Sequence, residues 1–114
     1  MKIAIVGSRG FPEPERVRAY VRSLKKDDIV ISGGAKGVDS WAVEEAKVQG
    51  LETQVFPADW DLFGKSAGYR RNVDIVEAAD FVVAFWDGKS KGTAHTIKLA
   101  QKAGKPVEVL LCGK

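Results

Sequence analysis

The 114-residue sequence predicts a three-layer α/β/α domain built on a doubly wound, five-stranded parallel sheet. Three observations predict it. Apolar, β-rich runs recur five times, at Lys2–Val6, Asp28–Ser32, Glu52–Phe56, Asp80–Trp86 and Pro106–Leu111. Stretches with apolar residues at helical spacing separate them. The first, second and fourth runs (IAIV, IVI, FVVAFW) are nearly unbroken, as strands covered on both faces are. Strand–helix alternation with right-handed crossovers then gives a parallel sheet, with expected order 3-2-1-4-5.

The helices follow in chain order. Val17, Tyr20, Val21 and Leu24 lie at i, i+3, i+4 and i+7, and Pro14 suits the first turn. Val38, Trp41, Ala42 and Ala46 form the second stripe. Val73, Val76 and Ala79 give a shorter one, and Ile97, Ala100 and Ala103 the last. Gly50 and Gly104 suit helix ends, and Pro106 blocks helix continuation and opens the last strand. No repeat, low-complexity tract or linker interrupts the pattern, so residues 1–114 read as one domain. The longest irregular piece is Pro57–Ser66 (PADWDLFGKS), ten residues long. It exceeds the usual βα loop, which points to a functional segment or to a cover over a sheet edge.

Composition narrows the function. Eighteen basic residues stand against fifteen acidic ones, a net charge of +3. That suits an anionic ligand or transient nucleic-acid contact and is far from a histone-like tail. A lone cysteine, Cys112, excludes an internal disulfide and fits a reducing cytoplasm. One Cys and one His leave no zinc site, and no cofactor is expected. The N-terminal MKIAIVGSRG is too short in apolar residues for a signal-peptide core or a membrane span, so no membrane contact is expected.

In open α/β sheets, ligands bind beyond the C-terminal ends of the strands. Four strand-to-helix segments meet there: GSRGF (7–11), SGGAKG (32–37), PADWDLFGKSAGYRRN (57–72) and DGKSKGT (87–93). They carry Arg9, Lys36, Lys65, Arg70, Arg71, Lys89 and Lys91, together with most of the glycines. Asp39, Asp59, Asp61 and Asp87 lie among or beside them. Glycine turns, helix N-termini and cations on one rim describe an anion site, most simply for phosphate. Scattered surface lysines explain Lys89 and Lys91 equally well.

Gly33, Gly34 and Gly37 follow the second strand and open the second helix, where free N–H groups favour negative charge. Lys36 adds a point charge. The alternative for GGxxG is a tight turn that lets helix pack on strand. GKS at 64–66 does not end a Walker A loop, because the required leading glycine is Asp59. Asp39 stands in the first turn of the second helix. A carboxylate repels phosphate, so it is expected to accept from the loop backbone or from a ribose hydroxyl, or else to cap the helix.

Taken together, these four segments resemble the SLOG superfamily, which groups the DNA-processing protein A and Lonely Guy families, and within it the small YspA-like branch. The resemblance covers nearly the whole chain and implies a Rossmann-like sheet that binds nucleotides or nucleotide-derived ligands. Under it, Gly7, Ser8 and Arg9 lie in the first loop, and Gly33, Gly34 and Gly37 match the glycine loop. Gly92 and Thr93 match the second phosphate-contacting turn, and Arg70, Arg71 and Asn72 match the motif opening the third helix. It also implies homodimers or higher homo-oligomers. In one respect the sequence departs. Lonely Guy enzymes carry PGGxGTxxE, and here the Glu position is Thr96. A hydroxyl cannot stabilise an oxocarbenium-like centre as a carboxylate does.

Trp60 and Trp86 are placed for base stacking, with loop closure the alternative for Trp60 and core packing for Trp86. Trp41 belongs to a helix stripe. Tyr69 either meets ligand or packs under the loop. His95, the only histidine, borders the Gly92–Thr93 turn. Ser8, Ser66 and Thr93 either bind phosphate oxygens or cap helices. Three functions are compatible with this set. The first is binding or sensing of a nucleotide-derived small molecule. The second is hydrolysis or transfer at an N-glycosidic or phosphate bond, which requires a carboxylate in the site. The third is single-stranded DNA binding, which requires a basic groove and strong salt dependence.

Overall fold

The computed structural model describes residues 1–112, and the side chain of Lys65 also lies outside the described set. The strands are β1 (Lys2–Gly7), β2 (Ile29–Ser32), β3 (Glu52–Val55), β4 (Phe81–Trp86) and β5 (Val107–Leu111). The helices are α1 (Pro14–Arg22), α2 (Val38–Val48), α3 (Trp60–Phe63), α4 (Ala67–Ala78) and α5 (Lys91–Lys102). All strand pairs are parallel, and the sheet order is β3-β2-β1-β4-β5, as the sequence predicts. Central β1 fixes the register: Ile3 stands beside Val30 of β2 and Phe81 of β4.

Alternation along β1 creates two cores, because successive side chains face opposite ways. Ile3 and Ile5 pack with Val17, Val21, Val38 and Ala42 of α1 and α2. Ala4 and Val6 pack with Ile75, Val76, Ile97 and Ala100 of α4 and α5. A branched side chain withdrawn this fully contributes about 1.5–3 kcal/mol. Phe85 closes the first core, with the rings of Phe11 and Tyr20 edge-on to it at 5.5 and 6.1 Å.

The helices differ from expectation at their margins. α1 stops at Arg22, and Leu24 reaches the first core from the turn beyond it. In α4, Val73 is exposed, and Asn72, Ile75 and Val76 form the buried face. Of the expected stripe, Val76 is buried as expected and Val73 is not, because the polar side chain of Asn72 takes its place on the buried face. Ala79 is buried, but as an extended residue past the helix end. Ala103 is exposed, and Thr93 and Thr96 extend the buried stripe of α5 instead. Segment Pro57–Ser66 is not wholly irregular: it holds α3 and a 3-10 turn at Gly64–Ser66. The carboxylate of Asp59 accepts from the N–H of Leu62 at 3.0 Å and caps α3.

The end of α4 is tied from behind. Lys105 Nζ donates to the carbonyls of Val76, Glu77 and Ala79 at 2.7, 2.8 and 2.6 Å. Two of these carbonyls lie in the last turn of α4, where intrahelical partners run out, and that of Ala79 lies just past it. The helix that carries Arg71 and Asn72 is thereby anchored to the turn before β5. Among the described residues, no helix is long and apolar enough to cross a membrane.

Candidate nucleotide site at the sheet edge

The loops after β1, β2 and β4 meet the N-terminal half of α4 over the C-terminal edge of the sheet. They enclose a hollow of about 430 Å³. Of the residues singled out in the sequence, Gly7, Arg9, Asp39, Trp60, Arg71, Asn72, Gly92 and Thr93 line it. Tyr69 and Thr96, also singled out, line it too, with Ala35, Gly68, Ser90 and the apolar Val6 and Ile75. A second hollow of about 300 Å³ adjoins it, lined by Gly33, Gly34 and Lys36. The two share Arg9, Ala35, Trp60 and Arg71. The N-termini of α4 and α5 open onto the larger space, so their partial positive charge falls inside it.

The glycines have separate jobs. At Gly33, a Cβ would stand 2.5 Å from Arg71 Nη1 and 3.0 Å from Arg71 Cδ. Its missing side chain admits the arginine, whose Nη1 donates to the Gly33 carbonyl at 2.6 Å. Gly34 and Gly37 have φ of +75° and +83°, a region that suits glycine. Gly37 immediately precedes α2, and a Cβ there would lie 3.2 Å from the carbonyl oxygen of Arg9. At Gly7 the reason is packing: a Cβ would meet Val38 at 2.5 Å and the Phe85 carbonyl at 2.7 Å. The loop is further fixed by buried Ser32, whose hydroxyl accepts from the N–H of Gly34 at 3.3 Å.

Arg71 and Asn72 form one unit, because Arg71 Nε donates to Asn72 Oδ1 at 3.2 Å. Asn72 reaches onward to the Gly92 carbonyl at 3.4 Å and His95 Nδ1 at 3.3 Å. His95 lies edge-on to Tyr69, with ring centres 4.6 Å apart, and does not line the hollow. Its burial, helped by Lys98, lowers its pKa.

Asp39 is 5% exposed. Its Oδ2 accepts from the N–H of Ala35 at 3.1 Å, so its engaged oxygen braces the loop and does not cap α2. Burial pushes its pKa up to about 6, against the Ala35 bond, the charge of Arg71, the nearby Gly33 N–H and the charge of Arg9, which pull it down.

Hydroxyls join the first and fourth loops. Buried Ser8 accepts from the N–H of Asp87 at 3.2 Å and meets Thr93 Oγ1 at 3.4 Å. Thr93 donates to Ser90 Oγ at 3.2 Å, and Ser90 caps α5. Ser8 is therefore a strut behind the wall. Asp87 accepts from the N–H groups of Lys89 and Ser90, both at 2.8 Å, and these bonds hold its pKa below the ordinary value. Trp86 donates from its indole to the Ser90 carbonyl at 3.0 Å and packs on the second core.

The cationic rim is thinner than the sequence suggests. Arg9, Lys36 and Arg71 border the hollows. Arg70, next to Arg71, turns outward: its guanidinium lies 4.3 Å from the Phe63 ring centre, and its Nε donates to Ser66 at 3.2 Å. Lys89 and Lys91 are exposed and border neither hollow. Sequence reasoning missed Ala35 and Ser90, and it noted Thr96 only as the position lacking a glutamate. The Ser90–Lys91–Gly92–Thr93 order at a helix start was the available signal for Ser90. Among the described residues, no group of three or more His, Cys, Asp or Glu is placed to hold a metal ion.

Known proteins share this architecture. Residues 1–61 match the family model described as DNA recombination-mediator protein A. The Gene 61 protein of Mycobacterium phage D29 is 40% identical, with 93% of each chain covered. DNA processing protein A from Streptococcus pneumoniae superposes with a TM-score of 0.84 at 23% identity, a likeness of fold. A Helicobacter pylori DNA processing protein A structure, reported for its single-stranded DNA binding mode, gives 0.80 at 27% identity. These matches cover 95% and 96% of this chain, but only 49% and 64% of the two solved ones. The family match spans β1, the glycine loop, α2 and β3. The chain belongs to the DNA recombination-mediator protein A family.

Proposed function

We propose that the chain binds single-stranded nucleic acid along the C-terminal edge of its sheet. One nucleotide unit enters the larger hollow, and neighbouring phosphates meet Arg9, Lys36 and Arg71. Trp60 carries this reading. It is 53% exposed and borders both basic hollows, and also a third, of about 380 Å³, that Asp59 and Asp61 line. An exposed indole shared by the two basic hollows suits successive bases, and base stacking contributes about 1–3 kcal/mol per base. The Helicobacter pylori relative, named for single-stranded DNA binding, supports the same reading.

Titration with single-stranded oligonucleotides, read by fluorescence anisotropy, tests it. Three phosphate contacts give a slope of about −2 for log affinity against log salt. Trp60→Ala should weaken binding by about 1–3 kcal/mol with the fold intact. A mononucleotide that binds as tightly as an oligonucleotide, with no salt dependence, would refute the strand reading. That result would support the second one, a sensor of a nucleotide-derived small molecule. The favouring observation there is the 430 Å³ hollow, large enough for one nucleotide. Breakdown of such a ligand, followed by mass spectrometry, would make the chain a hydrolase or transferase. Placement in the YspA-like branch, a cytoplasmic location and homodimers are parts of the same proposal, and light scattering tests the last.

A further inference from the structure

Asp39 has one carboxylate oxygen engaged and one without a partner. Oδ2 is held by the Ala35 N–H, while Oδ1 is buried and has no hydrogen-bond partner. The side chain is 5% exposed and lines the larger hollow between Arg9 and Arg71. Buried acceptors are normally paired, and this one belongs to a residue that lines an open hollow, so a donor bound in that hollow is the partner it lacks. Phosphate does not qualify, because a carboxylate repels it. The cations beside Asp39 attract the phosphate, and Oδ1 demands a neutral donor close to it.

We propose that Asp39 Oδ1 reads the nucleotide unit by accepting a hydrogen bond from a hydroxyl or amino group next to the phosphate held by Arg9 and Arg71. The inference rests on nucleic-acid binding at this hollow and adds a specificity-determining residue to it. A sugar hydroxyl and a base amino group present the same chemistry, and probes separate them.

The geometry suggests a clean variant. In Asp39→Asn, the side-chain oxygen turns toward the Ala35 N–H, and the amide nitrogen takes the Oδ1 position. The loop bond survives while the partnerless position changes from acceptor to donor. Affinity is measured for wild type and variant with three oligomers of equal length: riboadenosine, deoxyadenosine and an abasic tetrahydrofuran analogue of deoxyribose, which has no hydroxyl at C1′. Asp39→Asn should weaken a donor-bearing oligomer by at least about tenfold, as for a hydrogen bond to a charged group. The abasic oligomer should bind unchanged or more tightly. Loss on riboadenosine alone assigns the sugar hydroxyl, and loss on both adenosine oligomers assigns the base amino group. Equal affinity of variant and wild type for every probe overturns the inference. So does equal loss on all three, which would make Asp39 only a brace for the loop. Wild type that binds none of the probes overturns the nucleic-acid reading itself. A thermal melt at each pH used keeps unfolding apart from lost recognition.

Discussion

The loop after β2 and the segment after β3 border the same hollows, yet they treat their side chains in opposite ways. In 32–37 the groups are bound inward: Ser32 to Gly34, Ala35 to Asp39, the Gly33 carbonyl to Arg71. In 57–66 the bonds are local, Asp59 to Leu62 and Ser66 to the Phe63 carbonyl, while Trp60 and Leu62 stay exposed. The first is a fixed cradle with its geometry set before ligand arrives. The second is a short capped turn that presents a flat aromatic surface. Preorganised groups lower the ordering cost of binding, and adaptable ones tolerate different bases.

The adjacent arginines at the start of α4 provide the sharpest break of that comparison. Arg71→Ala removes a cation from both hollows and leaves the Gly33 carbonyl without its donor, so oligonucleotide affinity should fall by about 1.5–3 kcal/mol. An unchanged dissociation constant in anisotropy titrations would remove the cradle from the binding model.

Stability gives the next effect. Unfolded, Asp39 ionises near 3.8, and folded near 6. Between those values the folded chain binds more protons, so stability falls as pH rises through the window, and the full penalty is present above it. A shift of that size corresponds to about 3 kcal/mol. Asp39→Asn should therefore raise stability by about 2–3 kcal/mol in urea unfolding at pH 8 and by little near pH 3.5. A gain of equal size at both pH values would show that charge burial is not its source.

A thermodynamic cycle tests the cradle itself. Gly33→Ala crowds the Arg71 guanidinium, a movable group, so it should weaken oligonucleotide binding by about 1 kcal/mol when Arg71 is present and far less in an Arg71→Ala background. Additive losses would separate the two residues. The smallest effect belongs to Arg70→Ala, within about 0.5 kcal/mol in affinity, because Arg70 stacks on Phe63 away from the hollows.

Much of the architecture was legible because buried parallel strands leave unbroken apolar runs, and FVVAFW and IAIV are short, β-rich and bounded by turn residues. The loops could be placed for the same reason: once strands are assigned, their C-terminal ends follow. What escaped depended on rotation and pairing. Arg70 and Arg71 differ by one step around a helix, about 100°, and only the position of α4 says which one faces Gly33. Asn72 hid the buried stripe of α4 because its polar side chain serves the site wall. Four-residue α3 is too short for periodicity, and its Asp59 cap is a local hydrogen bond. The partnerless oxygen of Asp39 exists only once Ala35, Arg71 and the hollow have been assembled around it.

Lys105 has a consequence for chemical labelling. Its ammonium donates to three carbonyls at the end of α4. An amine reagent needs that nitrogen deprotonated and free, so exposed lysines such as Lys26 and Lys89 should acylate first. Lys105 should react only as α4 lets go of the turn before β5. Mass-spectrometric footprinting would then carry an internal clock, in which the peptide containing Lys105 times opening of the fold while the others report mixing.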